Sequence, residues 1–241
     1  MLRLTTDSTS KEVAQDHSTD EKPWHFEFGL RSSCPRLAET KEILDRRLDP
    51  LLALDTLNYY EKPETPIDRK SDFLLTTFYL GAGRQESEWL VWTVYVGGGM
   101  GRDHDHQRVR NMNLEVSFKY AYAFTGATAG IYPWRVPKRD DFEDWGQRFA
   151  ASRPFLATGF ETGYVSAEGR GHWKIAPLPR VYQDKAQVRD WIASLNLGLG
   201  WHLPVNRCWS IVFMGDYRFH FYRPDEYNGW TLTTALRYNL P

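Results

Sequence analysis

Trp209-Ser210-Ile211-Val212-Phe213-Met214-Gly215-Asp216-Tyr217-Arg218-Phe219-His220-Phe221 alternates along its whole length. Successive side chains of a β-strand point to opposite faces. Trp209, Ile211, Phe213, Gly215, Tyr217, Phe219 and Phe221 therefore share one face, while Ser210, Val212, Met214, Asp216, Arg218 and His220 share the other. One face is aromatic, and the other gathers three ionisable groups.

The pattern recurs outward from this stretch. Trp230, Leu232, Thr234, Leu236, Tyr238 and Leu240 oppose Thr231, Thr233, Ala235, Arg237 and Asn239, and Trp24, Phe26, Phe28 and Leu30 oppose His25, Glu27, Gly29 and Arg31. From Asn113 to Phe124 the apolar face reads Leu114, Val116, Phe118, Tyr120, Tyr122 and Phe124, leaving Glu115 and Lys119 on the polar face. Runs over Asp72 to Gly83, Glu88 to Gly101, Pro154 to Ala167 and Asp190 to His202 complete a set of about eight strands. An even number of antiparallel strands implies an all-β fold, a closed up-and-down barrel over residues 23–241. It follows a polar tail over residues 1–22 that reads as flexible.

The connections fall into two kinds. Gly81 to Ser87 and Leu203 to Arg207 read as short turns, and Ser32 to Ser71, Thr125 to Arg153 and Glu168 to Arg189 read as long segments. Helical stripes lie within two of these, at Leu37, Leu44, Leu48, Leu51 and Leu52 and at Phe142, Trp145 and Phe149. They suit short helices that cover a barrel end or rest at a membrane interface.

Composition removes several classes. Lysine and arginine are scattered at a net charge of −1, so no basic stripe for nucleic acid is present. No continuous apolar run approaches the length of a membrane helix, whereas barrel strands, apolar on alternate residues only, escape that criterion. Met1 to Lys22 contains no apolar core of a secretory signal, and the reading expects a signal peptide to be absent from this chain. Cys34 and Cys208 fall at opposite barrel ends and are expected to be free thiols.

The stretches Leu197-Gly198-Leu199-Gly200-Trp201-His202-Leu203-Pro204, Trp209 to Phe221 and Trp230 to Leu240 resemble the small eight-stranded outer-membrane barrels. That resemblance implies a bacterial outer-membrane location, a lipid-facing aromatic surface, a narrow polar interior and contact with outer-membrane lipid and lipopolysaccharide. Other envelope proteins would meet the long loops. A partial resemblance to the lipid A palmitoyltransferase barrels rests on Trp24-His25, on Gly159-Phe160 through Tyr164 and on Pro177-Leu178-Pro179. It implies His25 as an alternative catalytic residue, but the Asp-Ser pair of that family occurs here only as Asp7-Ser8.

The polar strand face gathers Glu27, Arg31, Glu115, Lys119, Glu161, Asp216, Arg218, His220 and Arg237. An interior of eight strands is just wide enough to be filled by side chains, so these charges are expected to form a mutually neutralising plug. A conductance path or a catalytic pair is the sharper alternative. Asp103, His104, Asp105 and His106 carry metal-ligand chemistry at poor spacing and read first as a solvated loop tip. No cofactor is expected. Three functions remain open: a structural or interaction barrel, a lipid-modifying barrel enzyme, and a soluble lipocalin-like barrel with its aromatics turned inward around a ligand.

Overall fold

The computed structural model describes residues 23–34, 74–109, 112–137, 142–175, 181–222 and 227–240. The tail, the leucine stripe at Leu37 to Leu52 and Pro177-Leu178-Pro179 lie outside the described residues. Within them, β1 (Trp24–Ser33), β2 (Leu75–Ser87), β3 (Leu90–Val109), β4 (Met112–Ile131), β5 (Arg153–Ile175), β6 (Val181–Pro204), β7 (Trp209–His220) and β8 (Gly229–Asn239) form a closed barrel in sequence order. All eight neighbouring pairs, including β1 with β8, are antiparallel.

The strands differ in length. β1, β2, β7 and β8 have 10 to 13 residues, whereas β3 to β6 have 20 to 24. β2 accompanies β3 only as far as Met100, and β7 accompanies β6 only as far as Ser194. Beyond those points β3 to β6 continue as a four-stranded sheet that projects from the barrel end opposite the termini.

Several expected boundaries move as a result. Glu168 to Arg189 is largely strand, since β5 and β6 stay paired out to Lys174 and Val181. Gly81 to Ser87 belongs to β2, and Asp103 to His106 lies in β3 rather than at a loop tip. Thr125 to Ile131 extends β4, so the connection shortens to residues 132–152. Small residues blurred the alternation there, and pairing to both neighbours overrides it. That connection carries helix α1 (Trp145–Ala151), whose N-cap Asp144 accepts from the Gln147 backbone N–H at 2.8 Å. Phe142, Trp145 and Phe149 had indicated it, and Trp145 and Phe149 remain exposed on its surface. At the tight turn before β7, Asn206 Oδ1 accepts from the backbone N–H groups of Cys208 and Trp209 at 2.9 Å each. Cys34 and Cys208 are free.

The barrel is too narrow for two large side chains at one level. Gly29 faces Tyr79 across β1 and β2, and Gly200 faces Phe155 across β5 and β6. In each case the ring lies over the glycine, where an added Cβ would overlap it. Gly29→Val and Gly200→Val are each expected to destabilise the barrel by about 2–3 kcal/mol through overpacking, read from urea unfolding of the refolded chain.

Candidate functional site

Strand parity decides what lies inside. On β1, β6, β7 and β8 the polar face turns inward: Glu27, Arg31, Asp216, Arg218, His220 and Arg237 are all buried, as is Glu161 from β5. The lipocalin-like arrangement is thereby reversed along those strands, because Phe28, Leu199, Phe213 and Leu232 point outward and are exposed.

β4 goes the other way. Tyr120, Tyr122 and Phe124 are buried in the interior, while Lys119, Ala121 and Ala123 are exposed on the outside. Glu115 and Lys119 therefore do not belong to the interior set. Both lie on the outer face of the projecting sheet, where charge meets no low-dielectric wall, and the aromatic face is free to fill the lumen.

At the centre stands Glu161, with no exposed surface. Its Oε2 accepts from Arg31 Nη1 at 2.6 Å, its Oε1 accepts from Tyr122 OH at 2.8 Å, and Oε1 also takes Arg218 Nη1. Arg218 Nε in turn donates to Asp216 Oδ2 at 3.3 Å. The Arg31 guanidinium is caged by the rings of Tyr79, Tyr95 and Phe124, with centroids at 4.4, 4.3 and 4.9 Å. Cation–π attraction grows when the cation is desolvated, as it is here.

A second group closes the seam between the first and last strands. Glu27 and Arg237 are register partners on β1 and β8, and Glu27 Oε2 accepts from Arg237 Nε and Nη2 at 3.0 and 2.8 Å. Tyr79 OH donates to Glu27 Oε1 at 2.5 Å, which links the two groups through one ring. Three carboxylates thus face three guanidiniums. His220 stands at the end of β7, with its backbone N–H donating to Asn228 Oδ1 at 2.6 Å.

Two cavities of about 30 Å³ each flank this network. One is lined in part by Tyr122, Arg218 and Thr231, the other in part by Arg31, Tyr95 and Arg237. Each is large enough for about one water molecule and too small for an organic ligand.

The remaining candidates lie apart. His25 is buried near the terminal end, with Nε2 2.9 Å from Thr93 Oγ1. His104 is exposed on the projecting sheet, where its Nε2 lies 3.2 Å from Glu115 Oε1, and His172 Nδ1 lies 3.7 Å from Glu115 Oε2. Asp103, Asp105 and His106 share β3 with His104, but their side chains lie outside the described residues. Among the described residues no group of three His, Cys, Asp or Glu side chains is arranged to hold a metal ion. On the same outer face, hydrogen bonds from Lys185 and Arg170 hold the Glu168 carboxyl below its usual range.

The outer wall is layered. At the terminal end Trp24 packs edge-on to Trp92 and Trp209 on Tyr238, with centroids 5.8 and 4.8 Å apart. At the opposite end Tyr164 meets Trp191 and Tyr217 meets Trp230, at 5.5 and 5.4 Å. Between them lie exposed Leu80, Val94, Val96, Leu195, Leu197, Leu199 and Leu232. Trp191 and Trp201 sit ten positions apart on β6; at roughly 3.3 Å per residue and a tilt of about 40°, the band is about 25 Å tall.

No protein-family model and no curated protein matches the chain. Among solved structures it is similar to the N-terminal β-barrel domain of Pseudomonas aeruginosa OprF, at 9% identity over 90% of this chain and 97% of that one, with a TM-score of 0.40. The attachment invasion locus protein Ail of Yersinia pestis follows at 11%, 91%, 99% and 0.38 on the same measures. Neisserial surface protein A stands at 6%, 90%, 96% and 0.31. Likenesses this distant carry no function across, and the barrel stands on its own strand pairing.

Replacing Glu161 by Gln removes the carboxylate shared by Arg31 and Arg218, leaving Arg31 without its counter-charge and Arg218 with Asp216 alone. Glu161→Gln is expected to cost about 3–5 kcal/mol in unfolding of the refolded chain, and the pair Glu161→Gln with Arg218→Met to recover most of it.

Proposed function

We propose that this chain is a Gram-negative outer-membrane barrel, crossing the bilayer on its eight strands, with a structural or interaction role. The observation that carries the reading is the outward apolar band bounded by two aromatic rows around an ion-paired interior. A water-soluble barrel has no use for leucines such as Leu199 and Leu232, each 67% exposed, on its outside and six charges within. A bilayer rewards both choices, because hydrocarbon solvates the leucines and aromatic rings favour its two interfaces.

Two features support an interaction role over transport or catalysis. The lumen is filled by Arg31, Glu161 and Arg218 and by the rings around them, leaving only small voids. The projecting sheet, by contrast, carries β3 beyond Met100 and β6 beyond Ala193 with no accompanying strand among the described residues. Its edges are a surface on which another envelope protein can pair. The lipid-modifying alternative is weakened because His25 points into the barrel at Thr93, out of reach of a lipid on the wall.

Reconstitution tests this reading. The chain is expected to acquire β-sheet circular dichroism only with detergent or lipid, and its unheated band to run ahead of the boiled one in electrophoresis. Folding in plain buffer would overturn it.

A further inference from the structure

The outer face of β3 to β6 turns from apolar to charged at one level. Met100 and Ala121 are register partners and the last apolar pair on β3 and β4; the next outward pair is Arg102 opposite Lys119. Both are exposed. Like charges directly opposite on one face of an antiparallel pair repel.

The neighbouring hairpin shows how such a pair is settled within the fold. Arg170 and Lys185 are also register partners facing outward, and Glu168 bridges them, its Oε1 2.5 Å from Arg170 Nε and its Oε2 2.7 Å from Lys185 Nζ. Lys119 faces Glu168 across β4 and β5, but that carboxylate is already engaged by the other two cations. Among the described residues no anion bridges Arg102 and Lys119.

We propose that Arg102 and Lys119 seat the phosphate of an anionic membrane lipid, whose acyl chain lies along β4. The inference rests on the membrane reading above. The cation pair stands at the first polar level beyond the apolar band, the depth at which headgroup phosphates lie, and a guanidinium beside an ammonium matches a phosphate's oxygens. The wall below the pair selects a lipid over a free anion. On β4 the outward positions below Lys119 are Ala121, Ala123, Thr125, Ala127 and Ala129. Val94, Val96 and Met100 of β3 rise on one side of them, and Phe160 and Tyr164 of β5 on the other. The small side chains form a trough that leads down from the phosphate seat.

The test titrates the refolded full chain, in zwitterionic detergent, with dioleoyl phosphatidylglycerol and follows the lipid adduct by native mass spectrometry. Arg102→Gln with Lys119→Gln is expected to weaken binding by about thirtyfold, roughly fivefold for each of two cations near a headgroup. Ala123→Leu, which fills the trough, should weaken the lipid adduct while retaining the cations. Glu168→Gln frees the second pair and should add a second adduct. Unchanged affinity in the double glutamine variant overturns the site. Full displacement by millimolar inorganic phosphate, with Ala123→Leu neutral, overturns the lipid in favour of a free anion. Heat-modifiability of the same samples separates the two levels of argument: an inserted barrel without these effects sinks this inference alone, and a chain that fails to insert sinks the membrane reading with it.

Discussion

Moving an ion out of water costs several kcal/mol even after the surroundings relax, and the interior of this barrel holds six formal charges. Glu161 is the group on which the others depend. Arg31 reaches it from β1, Arg218 from β7 and Tyr122 from β4, so one carboxylate ties together three walls of the cylinder. Because Arg31 is also caged by Tyr79, Tyr95 and Phe124, the aromatic half of the lumen is positioned by the same contact. The glycines opposite Tyr79 and Phe155 follow from this crowding, since a lumen that must hold rings and guanidiniums at one level has no room for a Cβ on the facing strand.

The outward face fits a different solvent. Leucine, valine and aromatic residues there are exposed because hydrocarbon, not water, is the medium the proposed location supplies. Where that medium ends, at Met100 and Ala121, charge returns within one pleat. The same strands thus read as inverted proteins along their middle and as ordinary solvated sheet beyond it.

This change of solvent explains what was legible in the sequence. The strand set, the closed barrel and the shared polar face of Glu27, Arg31, Glu161, Asp216, Arg218, His220 and Arg237 follow from period-two alternation, as strands that stay within the apolar band have unlike faces; that this face turns inward is given by the burial of those residues. β4 misled for a physical reason. Glu115 and Lys119 lie beyond the band, where an outward charge costs nothing, while alanines within the band gave its outer face no apolar signature. Counting charge could not correct the assignment, because removing one acid and one base leaves the interior balanced. A small outward face opposite three aromatic residues was the available clue. The cage around Arg31 depends on register across four strands, which no local pattern contains. The lengths of β5 and β6 were hidden likewise, since Glu168, Arg170 and Lys185 read as loop until cross-strand pairing holds them straight.

The Glu27–Arg237 bond joins residues 210 positions apart, on the first and last strands. A growing chain has inserted or synthesised almost everything before the partner of its first carboxylate arrives. Until then β1 carries Glu27 and Arg31 on an open edge, and sealing the sheet and neutralising the lumen become one event. Closing the seam therefore pairs the last open edge and gives Glu27 its counter-charge in the same step, so each gain depends on the other.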